Sequence, residues 1–176
     1  MTVIDPRLRP SGDHDQRAVL VDELIARWPA ARPFLFIGSL CTVVGGLVAA
    51  VTRPTGFVLG SWTAAFLVLV GGVAQIALGV GQAWLAEQPP AVRPVRIEVM
   101  CWNIGVAATI TGTLAAMPTL TTVAGFALVP ALALFIATTK APRSVRRSAR
   151  VIYRALAGIV LVSIPIGLAL AWARHP

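Results

Sequence analysis

The chain is poor in the groups that most protein chemistry needs: seven Asp and Glu, two His and two Cys among 176 residues. His14 stands near the amino terminus and His175 near the carboxyl terminus, so neither can join a cysteine pair at zinc-ligand spacing. Cys41 and Cys101 lie in separate apolar stretches, where a free thiol behaves as a small hydrophobe, and they frame no disulfide scaffold. The phosphate-cradling G-x-x-x-x-G-K-[ST], H-E-x-x-H, G-x-S-x-G and C-x-x-C are all missing. Ser39, Ser61 and Ser163 have no histidine in any apolar stretch to act as base. The expectation is a protein without catalytic residues, metal site or cofactor.

Charge is scarce too, at 12% of residues against 57% hydrophobic, and mean hydropathy is +0.80. A soluble domain of this size does not have that composition. The expected class is an all-α integral membrane protein. Fourteen Arg to one Lys, amid abundant Ala, Gly, Val and Pro, also suits a GC-rich bacterial source.

Five apolar stretches set the expected spans: 34–51, 60–84, 97–117, 120–138 and 155–173. The run 97–138 would make a single helix of about 63 Å, twice the hydrocarbon thickness of a bilayer. It is therefore divided at Pro118, amid Thr119, Thr121 and Thr122. Arg53 to Gly56 reads as a tight turn and 85–96 as a proline-stiffened loop. Pro130 and Pro165, inside the last two stretches, are expected to kink their helices.

Ahead of the first span, residues 1–32 read as a cytoplasmic segment, a mobile tail followed by a short amphipathic helix at 15–28 ended by Pro29. Leu20, Val21, Leu24, Ile25 and Trp28 recur at helical spacing, with Gln16, Asp22, Glu23 and Arg27 between them. Packing of this helix on the bundle's own cytoplasmic face is the favoured expectation, and docking to a partner or membrane surface the alternative. At 32 residues, with several acids, the leader is too long for a signal peptide, so the first span is expected to stay uncleaved within a 33–176 transmembrane domain.

Most of the basic charge collects at Lys140, Arg143, Arg146, Arg147, Arg150 and Arg154, read as one loop. With the amino terminus inside, cytoplasmic segments hold thirteen of the fifteen Lys and Arg: five before the first span, Arg93 and Arg96, and these six. The outer segments hold Arg53 and Arg174. The positive-inside rule then predicts an inner or plasma membrane protein with its amino terminus cytoplasmic and its carboxyl terminus external. Lipid bilayer and anionic headgroups are the expected partners of these basic segments. Nucleic acid is not, since Tyr153 is the one aromatic available for stacking there.

Small residues four apart mark helix faces that can pack closely in lipid: Gly45 with Ala49, Gly79 with Ala83, Gly105 with Thr109, Gly112 with Ala116, Ser163 with Gly167. Polar residues inside spans are the candidate site: Gln75, Gln82, Glu98 and Asn103. Glu98 is expected at the interface, paired with Arg93 or Arg96, and a shared polar pocket at the hairpin between spans two and three is the alternative. Trp102, Asn103, Gly105, Thr109 and Gly112 form a W-N-x-G-x-x-x-T-x-x-G piece that resembles a transmembrane segment of haem-copper oxidase core subunits over about twenty residues. That family's ligands are intramembrane histidines, which this chain lacks.

Together these readings give a five-helix membrane bundle acting as a structural, accessory or assembly component of a membrane complex, alone as a homo-oligomer or with a membrane-protein partner. The alternative is a small oligomeric transporter or channel with a polar path near Glu98, Asn103, Gln75 and Gln82.

Overall fold

The computed structural model describes residues 12–86, 88–138 and 147–173, and the side chains of 16–86, 88–137, 148–149 and 151–163. Among them every regular element is helical: α1 Gly12–Thr55, α2 Gly60–Phe66, a π-helical segment Leu67–Ala74, α3 Gln75–Leu85, α4 Val92–Leu114, α5 Pro118–Thr138 and α6 Arg147–Ala173. Four stretches are long and apolar enough to cross a membrane: Gln16–Thr55, Gly60–Leu85, Val92–Leu114 and Pro118–Ala137. The fifth expected span lies within α6, of which Val151–Ser163 is an apolar described stretch.

The expected break at Pro29 does not occur, and the amphipathic helix and first span form one helix of 44 residues. Pro29 and Pro33 each remove a backbone donor, which ordinarily ends or kinks a helix. Here the residues between and after them are clamped: Ala30, Ala31 and Phe34 are all buried in the core. Packing of that turn offsets the lost hydrogen bonds.

The second span is not a uniform α-helix. Its centre, Leu67–Ala74, winds as a π-helix around Gly71 and Gly72. Its turns bond five residues apart instead of four. Within it the Val70 carbonyl accepts the indole Nε1–H of Trp102 at 3.3 Å.

The basic stretch is likewise shorter than expected. Arg147, Arg150 and Arg154 belong to α6, Arg154 being exposed, while Lys140, Arg143 and Arg146 lie outside the described residues. Tyr153, assigned to that loop in the sequence, is buried. Its hydroxyl lies 3.3 Å from the Leu78 carbonyl and 3.2 Å from that of Phe135, tying α6 to α3 and α5.

Two turns follow one plan. After α1, the Phe57 amide donates to the Thr52 carbonyl at 3.1 Å and the Gly56 amide to Arg53 at 3.3 Å, with Gly56 at φ +65°. After α4, Met117 donates to Gly112 at 2.8 Å and Ala116 to Thr113 at 3.3 Å, with Ala116 at φ +53°. Both are Schellman caps, the first with the glycine that the left-handed position favours, the second without. Pro118 then opens α5, where a missing amide hydrogen is harmless.

Two antiparallel hairpins result, α1 against the second span and α4 against α5, with α6 packed on α5. Phe34, Leu78, Trp102, Leu132 and Phe135 meet at the centre. The Phe135 ring lies 5.3 Å from Phe34 and 5.8 Å, edge-on, from Trp102. Glycine contacts hold the hairpins close: an added Cβ would come within 2.7 Å of Val68 at Gly45, 2.6 Å of Leu128 at Gly105 and 2.7 Å of the Thr121 amide at Gly112, and would overlap the Phe34 ring at Gly79. Gly167 falls outside the residues whose surroundings are described. Pro130 sits within α5 on its exposed side.

Candidate functional site

The loop between α3 and α4 turns the chain back on itself, so the last turn of α3 faces the second turn of α4. That apposition places Gln82 against Glu98. Gln82 is 1% exposed and Glu98 fully buried, and Gln82 Nε2 donates to Glu98 Oε1 at 3.2 Å. Glu98 is therefore not the interfacial half of an ion pair. Arg93 and Arg96 are exposed on other sides of the same helix. Glu98 instead follows Val95 onto the core-facing side, with Val99 and Trp102.

Gln75 stands two turns before Gln82 on the same side of α3 and is also fully buried. Its two amide atoms, Gln82 Oε1 and Glu98 Oε2 have no hydrogen-bond partner among the described residues. A buried polar atom without a partner costs about 1–3 kcal/mol, so this set is costly in a bundle whose other buried side chains are mostly apolar. Asn103 does not join it. Its Nδ2 donates to the Val99 carbonyl of its own helix at 2.8 Å. Of the four polar positions expected, three are buried in the core and two are directly joined.

Arg27 closes the end of α3 above this pair. Its Nη1 donates to the carbonyls of Ala83 at 2.8 Å and Ala86 at 2.9 Å, groups that a helix end leaves without intrahelical donors. A cation at a helix carboxyl end also meets the negative end of the helix dipole. In the sequence Arg27 reads as one of five leader charges and as part of the polar side of the amphipathic stretch. No local pattern signals that it reaches a helix some 56 residues away.

Beyond Arg27, α1 leaves the bundle. Val19, Leu20, Val21, Leu24, Ile25 and Trp28 are each between 44% and 64% exposed. The expectation that this stretch packs on the bundle's own face is thus corrected. At helical pitch, Leu20 and Leu24 continue the side on which Arg27, Ala31 and Phe34 face the bundle, while Trp28 lies about a quarter turn away. The apolar stripe thus runs on from the buried one and is left exposed where the bundle no longer covers it.

A cavity of about 470 Å³ lies at the other end of the first hairpin, lined by residues such as Gly45, Gly46, Ala49, Arg53, Ser61 and Ala64. It shares no residue with the polar set. Cys41 and Cys101 are free and half-buried, and no group of three or more His, Cys, Asp or Glu among the described residues could hold a metal ion.

No protein-family model matches this chain, and neither a curated protein nor a solved structure is found to match it. The short oxidase-like piece has a local account instead: Trp102 serves the π-segment, Asn103 and Thr109 bond back to their own helix, and Gly105 and Gly112 admit α5.

Proposed function

We propose that this protein is a five-span component of a bacterial inner or plasma membrane, amino terminus inside and carboxyl terminus outside, that assembles with a membrane-protein partner through the protruding part of α1. The thirteen-to-two division of Lys and Arg supports the orientation. α6, 27 residues and about 40 Å long, is the fifth span. The cytoplasmic basic segments rest on anionic headgroups.

The observation that carries the reading is the uncovered stripe Leu20, Leu24 and Trp28 on a helix continuous with the first span. At 44 residues α1 is about 66 Å long, twice the hydrocarbon thickness, so its first half stands off the bilayer instead of lying on it. A rigid amphipathic helix presenting apolar residues four apart is the form in which one helix docks on another protein. Purification of wild type and Leu20→Glu/Leu24→Glu protein in mild detergent tests this. The same partner must co-purify with wild type and be lost from the double variant at equal membrane abundance; equal recovery from both rejects the reading.

The buried, incompletely bonded set Gln75, Gln82 and Glu98 favours a second reading, a small oligomeric transporter whose path passes these residues. Asn103, turned to its own helix, is not part of it.

A further inference from the structure

Glu98 and Gln82 form a pair with a specific chemical deficit. The amide gives one hydrogen bond, Nε2 to Oε1, and among the described residues the two remaining oxygens, Gln82 Oε1 and Glu98 Oε2, are both acceptors without a donor. Both side chains are at least 99% buried, so bulk water does not meet the need. A primary amide and a carboxylic acid, by contrast, satisfy each other completely, as a ring of two hydrogen bonds: N–H to the acid carbonyl and O–H to the amide carbonyl. One added proton on Oε2 converts the two unpartnered acceptors into a donor and its acceptor. From this we propose that Gln82 and Glu98 are an intramembrane proton-binding site, in which Glu98 carries the proton on Oε2 and shares it with Gln82 Oε1. Such a site is separate from the docking stripe and does not depend on it.

The surroundings fit a proton better than a metal cation. A single carboxylate cannot neutralise a divalent ion, and Glu98 belongs to no group of three or more His, Cys, Asp or Glu among the described residues. The charged and titratable groups on the packed elements are few. On α1, Arg27 is committed to the Ala83 and Ala86 carbonyls. On α6, the Tyr153 hydroxyl is held by the Leu78 and Phe135 carbonyls, and Arg154 is exposed. On α4, Arg93 and Arg96 are exposed and Cys101 is half-buried. The described part of α5 brings no charged residue. Among the described side chains the carboxyl thus has no cation paired with it, and one amide beside it to take its proton.

Infrared spectroscopy of the full chain in lipid nanodiscs at neutral pH tests the site, because a protonated carboxyl has a C=O stretch that ionised Asp and Glu lack. The expected wild-type spectrum contains one such band, shifted on transfer to deuterated water. It disappears in Glu98→Gln, which keeps an amide-sized side chain, and moves to higher frequency in Gln82→Leu, where the acceptor of the O–H is gone. A wild-type spectrum with no carboxylic C=O stretch at neutral pH overturns the proposal, and so does a band that survives Glu98→Gln. The first of these two results is read on wild type alone, so misfolding of a variant does not shelter the idea. A melting temperature that rises with sodium at constant ionic strength, and only with Glu98 present, would also overturn it, by assigning the oxygens to a metal cation.

Discussion

The guanidinium of Arg27 and the carbonyl of Ala83 are joined at 2.8 Å across 56 residues of sequence, and the same Nη1 reaches Ala86 at 2.9 Å. The contact fixes the protruding part of α1 to the end of α3 at the level where α1 leaves the bundle. Arg27→Ala leaves two partly buried carbonyls without a donor, and hydrogen bonds to charged groups contribute about 1.5–3 kcal/mol each at most sites. The expected result is a clear fall in melting temperature in detergent, partly restored in Arg27→Lys, which keeps the charge but not the planar fork. An unchanged melting temperature in Arg27→Ala would mean that the contact contributes nothing to the fold.

The glycines should divide by what faces them. At Gly112 an added methyl meets the Thr121 backbone amide at 2.7 Å, which cannot move without shifting α5. At Gly105 it meets the end of the Leu128 side chain, which can rotate. At Gly46 it meets nothing within 4 Å. The expected order of thermal stability is Gly46→Ala above Gly105→Ala above Gly112→Ala. Overpacking at Gly112 costs about 1–3 kcal/mol, and Gly46→Ala gains about 0.5–1 kcal/mol from the entropy of the unfolded chain. Equal melting temperatures for the three would remove the case for glycine-mediated packing.

Ala116 holds the left-handed position of its Schellman cap at φ +53°, where a Cβ costs about 1–2 kcal/mol. Ala116→Gly should therefore raise the melting temperature, the opposite of the usual effect of introducing glycine. A fall would show that the turn does not keep this conformation.

These positions also show what the sequence could and could not reveal. The helical class, the turn at Gly56 and the division of the long apolar run at Pro118 follow from composition, length and local turn chemistry, and the structure has them. Pro29 misled, because its local rule was outweighed by the core contacts of Ala30, Ala31 and Phe34, which depend on helices distant in sequence. Leu67–Ala74 carries no period that separates π from α, and only its paired glycines hint at the change. Glu98 lies close in sequence to Arg93 and Arg96, so an ion pair looked natural. Its true neighbour, Gln82, is sixteen residues away and faces it only once the hairpin forms.

Orientation is open to a direct check. Reporter fusions after Pro90 and Arg147 should read cytoplasmic, and those after Thr55, Thr119 and Pro176 external. A cytoplasmic reading after Pro176 would leave α6 outside the set of spans and contradict the five-span arrangement.

The most direct test of the central claim is a photo-cross-linking scan along residues 19–28 in native membranes, one position at a time. The stripe predicts adducts to a single polypeptide at Leu20, Leu24 and Trp28, and none at Asp22 or Ala26 on the far side of the helix. Adducts to lipid alone at Leu20, Leu24 and Trp28 would contradict it, because the helix would then lie on the bilayer instead of meeting a protein.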